Sequence, residues 1–395
     1  MNAAQLMEEG INFVRNFNLK DAEECFWRVL AIDSYSAEAI IWLGRIAYMQ
    51  GEVEKGDRLM DKVLSMNPVE AQALALRGIS EVEKGNPTKA LEFLNRAEES
   101  DSKLQIYGFI ARCYSLLDKS NDAEQAALKA LQMNAQDTLA HYELASILAS
   151  RGNMAQALSH LVSSINSNPL FAKGYFALGA LLAAAGKTKE AIDVYRKGLS
   201  YVPDAHILRE QLCTLLFAEG MFQEAVDETN ECIRRRNSYE DYLRLGFYQL
   251  VLGKFEDAEK AFLKSIELNT EDWEAHYNLG ELYSAANLVN ESRNQYEAAL
   301  SKGQQEWKPY NGMGIWILRN GNNPNEAITH FKKANELEKS RPEPLMNLAL
   351  TYASIRDWNQ AKNHCDLVMQ RVPSNSKYFI EADSLRAAIN AEVPL

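Results

Sequence analysis

The chain has 395 residues, 47% hydrophobic and 24% charged, with 42 Lys and Arg against 54 Asp and Glu for a formal net charge of −12. This composition excludes a disordered chain, and an acidic chain without a basic block makes a poor binder of nucleic acid or anionic membrane, where affinity comes from neutralising phosphates. No apolar run approaches the ~18 residues of a membrane span, no basic and apolar leader opens the sequence, and the five cysteines lack paired spacing, so membrane insertion, a disulfide framework and a zinc site are all unexpected.

Read in chain order, the sequence repeats itself. A small residue returns at Ala22, Gly56, Ala90, Ala123, Ala157, Ala191, Ala225, Ala258, Ser292, Ala327 and Ala361, with spacings of 33 to 35 residues. Another precedes most of these by twelve, as at Gly10, Gly44, Gly78, Gly179, Gly246 and Gly280. Two helices that pack closely need small side chains where their backbones approach and larger apolar ones on either side. Each period therefore predicts helix A, a short turn and helix B. Gly51, Gly85, Gly152, Gly186, Gly220, Gly253 and Gly321 stand where helix A should end, the position a helix C-terminus gives to glycine. The ten prolines fall at helix or unit edges, where they do least harm. The one long spacing is read as a residue inserted into the turn Asn322-Asn323-Pro324.

These units resemble the tetratricopeptide repeat family. The best single match runs Trp273, His276, Leu279-Gly280, Tyr283, Tyr296 and Ala299; Leu43-Gly44 with Pro68, and Tyr175, Leu178-Gly179, Ala191, Tyr195 and Pro203, carry two others. The resemblance implies an all-α, right-handed superhelical α-solenoid of about eleven helix-turn-helix repeats. They would form a continuous array over 3–375, starting near 3, 37, 71, 104, 138, 172, 206, 239, 273, 307 and 342. Residues 376–390 read as a C-terminal capping helix with an inner stripe of Tyr378, Ala382, Leu385 and Ile389. In the first helix the positions that would face a preceding unit are Gln5, Glu9, Asn12 and Asn16. A polar face there predicts that the array begins at Met1.

No catalytic or metal constellation survives the repeat frame. Cys113, Cys213, Cys232 and Cys365 occupy positions where other repeats carry small or aliphatic core residues. His141 and His276 share one repeat position; His160, His330 and His364 share another. We therefore expect no enzyme, no cofactor and no bound metal, and a cytoplasmic location.

The functional signal is expected in the groove lined by the A helices. Repeat two offers Ile41, Trp42, Arg45, Tyr48 and Met49; repeat three Leu76 and Ile79; repeat four Phe109 and Arg112; repeat five Tyr142; repeat six Phe176. Repeats seven to ten offer Phe217, then Arg244 and Phe247, then Tyr277 and Asn278, then Lys308 and Asn311. Aromatic and arginine side chains are the types enriched in binding hot spots. An apolar groove with a few cations suits an extended or helical peptide. The family's charged clamp for a chaperone's C-terminal carboxylate is matched only at Asn278 and Lys308; Leu243, Phe247 and Gly312 occupy its other sites. The expectation is a non-enzymatic scaffold that binds a protein or peptide segment to assemble a larger complex. The alternatives are a self-assembling homo-oligomeric array, or a regulatory, substrate-recruiting subunit of a transferase or secretion complex.

Overall fold

The computed structural model describes residues 2–392, and every regular element among them is helical. Its first compact unit spans Met1–Leu208 and its second Arg209–Leu395. The first holds α1 (Ala3–Arg15), α2 (Leu19–Ile32), α3 (Ala37–Met49), α4 (Val53–Met66), α5 (Ala71–Glu83), α6 (Pro87–Ser100), α7 (Tyr107–Leu116), α8 (Ser120–Met133), α9 (Thr138–Ser150), α10 (Met154–Ser167), α11 (Ala172–Ala184) and α12 (Thr188–Tyr201). The first turn of α13 (His206–Ala218) still belongs to the first unit, and the second holds the rest of it with α14 (Phe222–Arg236), α15 (Tyr239–Val251), α16 (Phe255–Leu268), α17 (Trp273–Ala285), α18 (Val289–Lys302), α19 (Trp307–Trp316), α20 (Pro324–Leu337), α21 (Glu343–Ser354), α22 (Trp358–Arg371) and α23 (Lys377–Glu392).

Odd-numbered helices pair with the even-numbered helix that follows, from α1 with α2 to α11 with α12 in the first unit and from α15 with α16 to α21 with α22 in the second. The pairing works because one partner is small at the contact. A Cβ placed on Gly246 of α15 would lie 2.5 Å from the Phe262 ring of α16, and one on Gly314 of α19 would lie 2.6 Å from the Phe331 ring of α20. Those rings are fully buried. Any larger residue at either glycine would push the pair apart.

The A–B turns close on a left-handed residue. Glycine supplies it at Gly51, Gly85, Gly152, Gly186, Gly220 and Gly253, as the spacing predicts. Phe17, Asp118, Asn287 and Arg356 take the same conformation without being glycine. Gly321 is a correction. It lies inside a π turn, Ile317–Gly321, and the left-handed residue is Asn322 with φ 45°. The residue inserted into the period is thus absorbed by widening the last turn of helix A. The turn after it keeps the ordinary form because Asn322, unlike most residues, tolerates that conformation.

Of the four polar positions expected on the first helix, Gln5, Asn12 and Asn16 lie exposed and Glu9 is half-buried. At the other end α23 lays Tyr378, Ala382, Leu385 and Ile389 onto the core that holds Leu345, Leu348, Cys365 and Val368. One buried polar cluster interrupts the first unit. Arg77, at a position where most repeats carry an aliphatic residue, pairs with Asp57 (2.9 Å), Asp61 (2.8 Å) and Glu81 (3.1 Å). Its buried charge is tolerated because three carboxylates surround it.

Candidate interaction surface

The A helices α5, α7, α9 and α11 frame a cavity of about 450 Å³ in the first unit. Val82, Phe109, Leu116, Leu139, Tyr142 and Phe171 give it apolar walls, and Glu83, Arg112 and Lys173 give it charge. Tyr142 meets Phe171 edge to face at 5.4 Å. Burial pushes the Tyr142 hydroxyl above the ordinary tyrosine range, with Arg112 opposing. Phe109 rests against a core that includes Leu94, Ile110 and Leu144. Half-buried aromatic walls are what an apolar anchor of a partner needs.

Arg112 is not a free cation. Its guanidinium donates to Glu143 Oε1 at 3.1 Å, and the Glu143 side chain is almost wholly buried. The other oxygen of that carboxylate has no hydrogen-bond partner. Lys173 and Glu83 are the exposed charges at this rim.

The remaining predicted groove residues divide by what they touch. Two are turned inward. Ile41 is 4% exposed and sits in a core with Met60 and Val63. The Tyr48 hydroxyl donates to Asp57 at 2.8 Å, and its ring covers Gly56 of the partner helix. Gly56 replaces the usual alanine and leaves room that only a large ring fills. Trp42 stacks on Phe26 at 5.9 Å with rings nearly parallel, and Arg45 lies over its outer face at 4.9 Å. Arg45 also donates to Gln72 at 3.2 Å. Met49 is exposed, Leu76, Ile79 and Phe176 are half-buried, and none of these joins the cavity.

In the second unit Phe217 stacks on Tyr248 at 4.5 Å and touches Phe222 and Phe247 at 5.1 and 5.4 Å. Arg244 is spent on Asp241, at 3.1 Å, beside Arg236 at 3.0 Å. Lys308 reaches Glu274 at 3.4 Å and hangs over the Trp273 ring. Tyr277 packs on Tyr296 at 6.0 Å, in space left by Gly312. Asn278 is half-buried, and buried Asn311 accepts a hydrogen bond from Asn347 at 2.9 Å.

The frame thus locates the A-helix surface but not its charge state. Arg112 and Arg244, predicted as cations of the groove, prove to be paired, because carboxylates one repeat or one helical turn away reach them, whereas Arg45 meets the Gln72 amide and the Trp42 ring. Phe171 escaped the sequence reading altogether. It belongs to the turn before α11, outside the helical positions considered. Lys173 occupies a groove position of the frame and was legible there.

The two histidine positions face each other across helix pairs. His141 of α9 and His160 of α10 approach at 2.9 Å through their Nδ1 atoms, and His276 of α17 meets Gln295 of α18 at 2.7 Å. All five cysteines are buried and free. Burial raises the Cys113 thiol to about 12, far from the low value a reactive thiol needs. Among the described residues no three His, Cys, Asp or Glu side chains gather as metal ligands, and no helix is long and apolar enough to cross a membrane.

Sequence models of the family described as "Tetratricopeptide repeat" match residues 57–104 and 243–308, and residues 104–137 and 172–204. The chain carries tetratricopeptide repeats. Yeast Tom70 has a solved structure similar along almost the whole array, with a TM-score of 0.53, 15% identity and coverage of 99% of this chain and 96% of that one. That likeness concerns the fold. The human Protein O-mannosyl-transferase TMTC1 is 26% identical over 209 residues, which are 51% of this chain and 24% of the relative. The Peroxisomal targeting signal receptor of Kluyveromyces lactis is 26% identical over 230 residues, 56% of this chain and 39% of the relative. The matched part of the chain thus spans about a quarter to two-fifths of the length of these curated relatives.

Proposed function

We propose that this repeat protein is a non-enzymatic interaction scaffold that binds an extended peptide or protein segment along its A helices and so helps assemble a larger complex. The observation that carries the reading is the cavity formed by Phe109, Leu116, Tyr142 and Phe171, with Lys173 at its rim. Aromatic walls desolvate an apolar anchor, and a flanking cation orients the segment. One of its relatives is named a targeting-signal receptor, which is consistent with peptide recognition. Buried free thiols suit a reducing compartment, and we place the protein in the cytoplasm.

The test uses Leu116→Asp with Lys173→Glu, both at exposed positions. Arg112 is unsuitable for this purpose, because reversing it would leave Glu143 facing a second carboxylate. Partner capture by the full chain should fall at least roughly tenfold, with helical content and melting unchanged. Equal capture by the variant removes the cavity from the binding surface. Light scattering across dilution, on the same samples, separates partner binding from self-association.

A second reading has its own support. The match to a human O-mannosyl-transferase fits an array that recruits substrate to a transferase held on another part of a chain or on another chain. Co-purification with glycosyl-transfer activity that the variant loses would favour it. A complex without such activity would leave the first reading alone.

A further inference from the structure

We propose a second peptide site in the C-terminal unit, created by the π turn and selective for a segment that carries an acidic residue beside an aliphatic one. It rests on the scaffold reading only in taking a peptide as its ligand.

A cavity of about 370 Å³ opens between the π turn and α21. Ile315 and Leu318 line it from one side and Leu350 from the other, with the buried Phe331 ring among its lining residues. That space suits one aliphatic side chain and part of the adjoining backbone. The π turn makes it. Ile317–Gly321 is wound wider than an α turn, and both Leu318 and Arg319 of this turn line the cavity, as does Asn322 just after it. Widened turns of this kind recur at functional sites.

The polar groups in the lining decide the ligand. Thr351 and Ser354 donate their hydroxyls to carbonyls of their own helix, at 2.6 and 2.7 Å. The side chain of Asn347 is only half used: one amide N–H reaches Asn311, leaving the other N–H and its carbonyl for a peptide backbone. Arg319 is exposed and forms no ion pair among the described residues. Glu281, whose charge opposes that of Arg319 at Tyr296, already accepts the Tyr296 hydroxyl at 2.5 Å. In contrast to Arg244 and Lys308, then, Arg319 keeps its charge for an incoming carboxylate, which it can hold through two parallel N–H groups.

The test pans a random heptapeptide library on the full chain, on Arg319→Glu and on Leu116→Asp. Selected peptides should share an Asp, a Glu or a terminal carboxylate next to Leu, Ile or Val. They should bind wild type and Leu116→Asp equally and Arg319→Glu at least roughly tenfold more weakly. Arg319→Gln, which removes the charge and keeps the length, should show the same loss if charge reversal disturbs folding. Peptides lost on Leu116→Asp but kept by Arg319→Glu would overturn this site and leave the first one standing. Selected peptides without the acidic residue, or no selected peptide, would overturn it as well.

Discussion

Phe17 is 81% exposed and holds φ at 57°, where glycine stands in six other turns. A side chain in that region costs about 1 kcal/mol, and an exposed ring recovers none of it by burial. Phe17→Gly should therefore raise stability by about 1 kcal/mol in urea unfolding, and Asp118→Gly by less, since aspartate tolerates the left-handed region. A loss of stability in Phe17→Gly would mean that the ring is packed. Arg112 carries the opposite kind of constraint. Arg112→Ala leaves the buried Glu143 carboxylate unpaired and should cost about 3 kcal/mol, whereas a surface arginine would cost little. The histidine pair gives a pH signature. His141 Nε2 faces the Ala135 carbonyl, so it carries a proton and its Nδ1 accepts from His160 Nδ1–H. Burial, followed by the proximity of His141, lowers His160 from 6.5. The unfolded chain then takes the proton first. Stability is full above pH ~6.5 and falls as pH drops toward the lower folded value. Urea midpoints measured from pH 7.5 to 5 should show this decline, and His160→Gln should flatten it; an equal slope in the variant would assign the decline to other groups.

At the scale of the helix, two departures from the repeat carry the information. The first is the π turn. The spacing shows one extra residue but not where the backbone stores it, because a turn and a widened helix accept an insertion at similar cost. Deleting Asn322 should convert Ile317–Gly321 to ordinary helix and slow its amide exchange, with helical content unchanged by circular dichroism. Unchanged exchange would show that the insertion is stored in the following turn. The second departure is the direction of Tyr48 and Ile41. A helical frame assigns a face to within about one residue, and those two lie at its edge. Which way they turn is decided by Gly56, whose missing side chain admits the Tyr48 ring, and by the core around Met60.

For the molecule as a whole, stability in a repeat array is a sum of units and neighbour contacts. Removing 376–395 strips Tyr378, Ala382, Leu385 and Ile389 from the core they cover. The lost burial is worth roughly 4 kcal/mol and should appear first as faster amide exchange in α21 and α22. Exchange in α1–α12 should be unaffected; a uniform loss of protection would show that the array unfolds as one cooperative body.

The repeat period, the helical pairing and the A-helix surface were determined by the sequence itself. Small residues at fixed spacing leave close helix packing as the only way to bury the large ones. What only the tertiary structure decided is which charges on that surface remain available. Arg112, Arg244 and Lys308 are answered by Glu143, Asp241 and Glu274, while Arg319 has no ion-pair partner among the described residues and stands beside a cavity. Pairing depends on ångström distances between side chains on different helical turns, and a 34-residue spacing does not specify those.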